Sequence, residues 1–259
     1  MYILVLAIIV LSILVGITFH EFGHMFFAKV FGVKVDNFVI GWGKPFVKWH
    51  RKNDPTEYGI APCPMGGYCN IDDESLNALP FHKYFIVLMG GVINNIILGL
   101  VECIAAFYFV AGTFLVNPIE PIVSAGQIMG KLFVAMPNMF IEMFNFKSLA
   151  VNGGVLTSMS DAGTSIVSSG SGALAMIGTA FVVGGAMNFV LGFFNALPIP
   201  ALDGGHVVLK IVRMILAKFG KSMNEKIVNR VCYCFMGAFI ALQLVYLLFD
   251  LPVVRNLFL

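Results

Sequence analysis

The sequence predicts an all-α polytopic membrane protein of about four transmembrane helices, with a small membrane-associated β element after the first helix. Three observations predict it. Hydrophobic residues make up 59% of the 259 residues and charged residues only 12%, where a soluble domain carries roughly 25% charged residues. The mean hydropathy is +0.90. Four runs also approach or exceed the roughly 20 apolar residues that a helix needs to cross a bilayer core. The length would allow one or two soluble domains, but little of this composition is left for one. A single intramembrane domain over 1–259 is the expectation.

The first span is read over 1–31, with His20, Glu21, His24 and Lys29 as its only ionisable residues. It lacks the basic start and small-residue cleavage site of a signal peptide, so it reads as an uncleaved helix. Residues 33–71 hold both tryptophans and two Gly/Pro turn signals, Gly41-Trp42-Gly43-Lys44-Pro45 and Pro64-Met65-Gly66-Gly67. The short runs Val33–Ile40 and Tyr58–Ala61 between them read as strands. The second span is read over 85–116, interrupted by Asn94, Asn95 and Glu102. Glu102 is functional by default at that depth, but nothing in the sequence supplies its partner. Residues 117–171 read as an extracytoplasmic segment. In it Ile128, Met129, Leu132, Phe133, Met136, Met139, Phe140 and Met143 recur at helical spacing, as in an amphipathic helix on the membrane that Pro137 breaks or kinks. Residues 152–172 are rich in Gly and Ser and read as loop. The third and fourth spans are read over 172–196 and 231–249.

Charge placement orients the chain. Lys29, Lys34, Lys44, Lys48, Arg51, Lys52 and Lys83 flank or fill the first polar segment, and Lys210, Arg213, Lys218, Lys221, Lys226 and Arg230 the last. With four spans these segments share one side, which the basic excess marks as cytoplasmic. Both termini are then extracytoplasmic. A net charge of +2 gives no ground for a nucleic-acid partner. The five cysteines contain no C-x-x-C and are odd in number, which excludes a disulfide framework or a cysteine zinc cluster.

The stretch HEFGH carries the chemistry. On a helix His20 and His24 share a face, and two imidazoles so placed can grip one Zn2+, with Glu21 in reach of the attacking water as general base. Ionisable groups inside a membrane helix are costly and usually functional. A catalytic zinc takes a third protein ligand. Asp203 is the only carboxylate in NALPIPALDGGH and lies at the same end of its span as the histidines do of theirs, so it is the expected third. Alone, Asp203-Gly204 would read as a turn leaving the membrane. Pro198 and Pro200 free backbone groups there, which is tolerated at membrane depth only in a protein-lined or wet site.

HEFGH, NALPIPALDGG and PMGGY together resemble the site-2 protease family of intramembrane zinc metalloproteases, in particular its bacterial regulator-of-sigma-E protease branch. FGVKVDNFVIGWGKP, TEYGIAPCPMGGYCNIDDES, VLMGGVINNIILGL and VNGGVLTSMSDAG extend the resemblance over most of the chain. It implies zinc on His20, His24 and Asp203, Glu21 as base, and Asn195 as stabiliser of the oxyanion, a role a carboxamide N–H can fill. Asn94, Pro198, Pro200, Gly66 and Gly67 are expected along the substrate path. It implies cleavage of transmembrane segments of single-span membrane proteins in a bacterial inner or plasma membrane, such as anti-sigma factors or signal-peptide remnants, near the cytoplasmic side. The sequence departs from the family where Gly-Pro-x-x-Asn becomes Gly90-Gly91-Val92-Ile93-Asn94, where Gly-Pro becomes Gly153-Gly154, and where an asparagine five before Asn195 becomes Val190 with Asn188 nearby. Residues 117–171 are too few for the branch's PDZ domain, so none is expected. An opened substrate segment could add to a strand edge of 33–40 or 58–70. Two other classes stay in view: a membrane metal or proton transporter, which would pair broken helices in two halves, and a proteolytically inactive relative that binds membrane partners.

Overall fold

A computed structural model describes residues 2–111, 119–142, 144–145, 172–249, 251 and 254. Its helices are α1 (Tyr2–Val30), α2 (Asp73–Ala78), α3 (Phe81–Ala111), α4 (Ile119–Glu142), α5 (Ala173–Ala196), α6 (Asp203–Lys218) and α7 (Glu225–Phe249); its strands are β1 (Val35–Trp42), β2 (Val47–His50), β3 (Glu57–Ile60) and β4 (Cys63–Ile71). The chain divides into two compact units, one of residues 12–98 and 191–232, the other of 1–11, 99–190 and 233–259.

The first unit holds the sheet. Its strand order is β2-β3-β1-β4. β1 runs parallel to β3, from Asn37 opposite Glu57 to Ile40 opposite Ile60, and antiparallel to β4, with Phe38 opposite Cys69 and Ile40 opposite Gly67. The sheet closes against the end of α1 and the start of α3 through Met25, Ala28, Val33, Val35, Phe38, Tyr58, Leu76, Tyr84, Val87, Leu88 and Val207. Each large side chain of that cluster withdrawn from water contributes roughly 1.5–3 kcal/mol. A polar knot ties the β2–β3 turn to α1: Lys29 Nζ donates to Asp54 Oδ2 at 2.6 Å and to Tyr58 Oη at 2.9 Å, and Tyr58 Oη donates to Asp54 Oδ2 at 2.8 Å. Held foremost by Lys29, the Asp54 carboxyl titrates well below the usual carboxylate range.

The strand expectations hold for 33–40 and 58–61, but one of the two expected edges does not. β1 is paired on both sides, so 33–40 is interior and only β4, within 58–70, offers a free edge on the side of β1. Pro64-Met65-Gly66-Gly67 lies within β4 rather than in a turn. Pairing is irregular there, between the Ile40 and Trp42 registers. Gly66 has φ +126° and the Trp42 ring lies where its Cβ would go, so no other residue fits.

In the second unit α3 and α5 cross closely, a Cβ on Gly99 falling 2.5 Å from the Gly185 carbonyl oxygen. Glu102 and Asn188 are both buried, and Asn188 Nδ2 donates to Glu102 Oε2 at 2.8 Å. That is the partner the sequence alone did not supply.

Among the described residues five helices are long and apolar enough to cross a membrane, by length and composition: α1, α3, α4, α5 and α7. The addition is α4. Pro137 lies inside it, five residues before its end at Glu142: a proline removes one ladder hydrogen bond and kinks a helix, and the helix runs past it by little more than one turn. α6 is also unforeseen, in a segment read only for its charges. Met143, residues 152–171 with Gly153-Gly154, and most of the stretch bearing on a PDZ domain lie outside the described residues.

Candidate metal centre

His20 and His24 lie within the last three turns of α1, both buried. The four-residue spacing sets their Nε2 atoms 3.2 Å apart. Asp203 Oδ2 stands 3.1 Å from His20 Nε2 and 3.4 Å from His24 Nε2. The ligand atoms of the three residues all lie within 4.8 Å of one another.

Glycines let the second helix reach this face. A Cβ on Gly23 would strike the backbone of Gly90, and one on Gly90 would sit 2.6 Å from the Gly23 carbonyl oxygen. α1 and α3 therefore touch backbone to backbone. One residue on, a Cβ at Gly91 would lie 2.6 Å from both His20 Cε1 and His24 Nε2, so its absence leaves the rings their space. The contact also orients a ring. His24 Nδ1 is 2.9 Å from the Val87 carbonyl oxygen; an oxygen can only accept, so Nδ1 carries the proton and Nε2 keeps its lone pair.

Asp203 is the first residue of α6, where the helix dipole favours a carboxylate. The chain reverses into it through Ala201 at φ +83°, a left-handed conformation costing roughly 1–2 kcal/mol for an L-residue. Gly204 and Gly205 follow, pressed so closely on the carbonyls of Ala196, Leu197 and Ile199 that a Cβ on either would collide. Asp203 Oδ2 is buried and has no hydrogen-bond partner of acceptable geometry, although two imidazole nitrogens stand beside it. Two imidazole nitrogens and a buried carboxylate oxygen, converging without a donor between them, match the donor set of a catalytic zinc site. The residues fit that ion.

Glu21 follows His20 on α1 and lies against β4: a Cβ on Gly67 would be 3.6 Å from Glu21 Cγ. Burial, then the Glu21 charge, pushes the neighbouring Cys69 thiol up to about 12. Asn195 occupies the last turn of α5, half-buried, next to the Ala196 carbonyl that packs on Gly204. Pro198 and Pro200 form the link from α5 to α6. Asn94 Nδ2 donates to the Phe19 carbonyl at 2.8 Å, so it braces the backbone just before His20. Asn95, adjacent to it, was singled out by the sequence only as a polar interruption. It is fully buried, with Nδ2 3.2 Å from His20 Nδ1.

A helix-borne His-Glu-x-x-His completed by a distant aspartate, in a chain of membrane-length helices, defines the class of membrane-embedded zinc metalloproteases. The model of Peptidase family M50 matches residues 7–239, and the chain belongs to that family. It is similar to the zinc metalloprotease Rip1 of Mycolicibacterium smegmatis, 35% identical over 106 residues, covering 35% of this chain and 26% of that one. It is similar to Rip1 of Mycobacterium tuberculosis, 35% identical over 71 residues, 27% of this chain and 17% of that one. To the protease RseP of Yersinia pestis it is 43% identical over 75 residues, 29% of this chain and 16% of that one. The chain thus spans about a quarter or less of the length of these relatives.

Proposed function

We propose that the chain is an intramembrane zinc endopeptidase that cleaves the transmembrane segments of single-span membrane proteins, such as anti-sigma factors or signal-peptide remnants. The observation that carries the reading is the convergence of His20, His24 and Asp203 beside Glu21, with Glu21 against β4. Zinc, when bound, supplies a Lewis acid that polarises a carbonyl and lowers the pKa of water. His20 Nε2, His24 Nε2 and an Asp203 carboxylate oxygen would hold it. The Glu21 carboxylate takes the proton of the attacking water and hands it to the leaving amine nitrogen. The Asn195 carboxamide donates to the oxygen on which charge develops.

A substrate helix must open before it can be cut, since its peptide bonds are closed in their own ladder. β4 has a partner on one side only among the described residues, and the opened segment adds to its free edge by strand pairing. Gly67 puts no side chain of its own against Glu21, and Gly66 gives its side-chain space to the Trp42 ring.

The centre also constrains how the chain crosses the bilayer. Asp203 follows α5 and meets histidines near the end of α1, so α1 and α5 end on the same side. α3 starts on that side and α5 starts on the other. The basic residues of 29–83 and 210–230 make the shared side cytoplasmic.

Full-length protein carrying Glu21→Gln, purified in detergent, is expected to keep its zinc and lose cleavage of a single-span substrate by roughly 10²-fold or more. Cleavage at the unsubstituted rate would overturn the reading. In the unsubstituted protein, cleavage should stop on chelation and return with zinc; zinc binding without any cleavage would point to an inactive relative or a transporter.

A further inference from the structure

The two metal-facing histidines are held unequally. His24 has its outer nitrogen committed to the Val87 carbonyl. His20 has its outer nitrogen, Nδ1, against the carboxamide of Asn95, at 3.2 Å. Asn95 is fully buried, and its Oδ1 has no hydrogen-bond partner among the described residues.

A histidine that binds metal through Nε2 carries its proton on Nδ1 and donates it to an outer partner, which fixes both tautomer and ring direction. With the Asn95 amide nitrogen facing that N–H, two donors oppose each other while a buried acceptor stays unused. The oxygen and nitrogen of a carboxamide are nearly the same size, and their assignment follows from the hydrogen-bond network. A half turn of the Asn95 carboxamide gives His20 its acceptor and Oδ1 its donor. α5 keeps the group in place: a Cβ on Gly192 would lie 3.0 Å from Asn95 Cβ, so the α5 backbone is packed directly on this residue.

We propose that Asn95 is a positioning residue for the metal centre, its Oδ1 accepting from His20 Nδ1–H and thereby presenting Nε2 to zinc. Consecutive asparagines then divide the work on α1: Asn94 holds the backbone at Phe19 and Asn95 holds the ring at His20. The proposal rests on the reading of His20, His24 and Asp203 as a zinc site, and it concerns zinc affinity rather than turnover.

The test compares Asn95→Leu, similar in shape but without an acceptor, with Asn95→Asp, which keeps one. Full-length proteins in detergent are stripped of metal and titrated with zinc against a chromophoric chelator, then with cobalt while the visible absorption of the bound ion is recorded. Asn95→Asp should bind zinc within about threefold of the unsubstituted protein, and Asn95→Leu about 10–100-fold more weakly, the usual loss for an outer partner of a metal ligand. The cobalt spectrum should change in Asn95→Leu and not in Asn95→Asp. If Asn95→Leu does not fold, Asn95→Ala replaces it with the same expected loss. The proposal is overturned if the acceptor-free variant binds zinc as tightly as the unsubstituted protein, or if the Asp and acceptor-free variants lose affinity equally. Failure of the unsubstituted protein to bind zinc at all would overturn the zinc site itself, and this proposal with it.

Discussion

Half of the apolar window of α3 is buried inside the protein, while none of the corresponding window of α7 is. Apolar length alone does not separate the two, because lipid is as apolar as a leucine side chain and gives helices no hydrophobic reason to meet. Close approach and hydrogen bonding supply the reason instead. α3 offers Gly90 and Gly91 to the backbone and rings of α1, and Asn94 and Asn95 to Phe19 and His20. On α7, Gly237 faces open space, and Val231, Phe235 and Phe239 are exposed. In this chain small and amide side chains mark the helix that builds the site, and hydropathy marks only those able to cross.

The contrast can be tested by substitutions of declining effect. His24→Ala, on the α1 face that α3 covers, should abolish stoichiometric zinc and all chelator-sensitive cleavage, read by metal analysis and a cleavage assay on the same preparation. Gly90→Val forces the α1–α3 crossing apart and should destabilise by about 1–3 kcal/mol or more, seen as a lower thermal midpoint in detergent together with weakened zinc binding. A stable Gly90→Val protein with normal zinc affinity would mean that the backbone contact is incidental.

Asp54→Asn, at the knot between the sheet and α1, should cost no more than about 1 kcal/mol, as a largely screened pair does. Its pH dependence has a definite sign. The folded carboxyl is held below its ordinary value, so its contribution is full at neutral pH. It begins to fade only as pH drops below about 4, the ordinary carboxylate value, and it is absent in Asp54→Asn at every pH. Acid titration of the thermal midpoint for both proteins would check this. Phe239→Ala on α7 is expected to shift stability by no more than about 0.5 kcal/mol. A drop of about 2 kcal/mol or more would show that α7 packs on something, and the comparison with α3 would fail.

Much of the centre was legible because its chemistry is written in residue types rare in a bilayer. His20, Glu21 and His24 announce themselves by cost, and Asp203 by being the only carboxylate of NALPIPALDGGH, at a depth that matches theirs. Asn95 was not legible as a contact, because an amide inside a span signals only that some partner exists, and which one depends on how α3 is rotated about its axis. The same limit kept Asn188 from being named as the partner of Glu102. Strand existence followed from turn signals and alternation, but strand order did not. Nothing local distinguishes β1, paired on both sides, from β4 at the edge, and the edge was therefore assigned to both. α4 was legible as a helix from its apolar spacing, but not its continuation past Pro137 to Glu142. α6 was hidden by its basic residues, which carried topology so plainly that its helical pattern went unweighed.

The bond from His24 to the Val87 carbonyl makes the metal site a gauge of helix register. In a helix that carbonyl serves the N–H four residues on, at Gly91, and it has a second lone pair for the ring. A shift of α3 along α1 by a single residue's rise, about 1.5 Å, would carry the acceptor out of range of a 2.9 Å bond and leave His24 free to turn. Axial play between two helices, invisible to any count of crossings, would then register as a change in how tightly the ion is held.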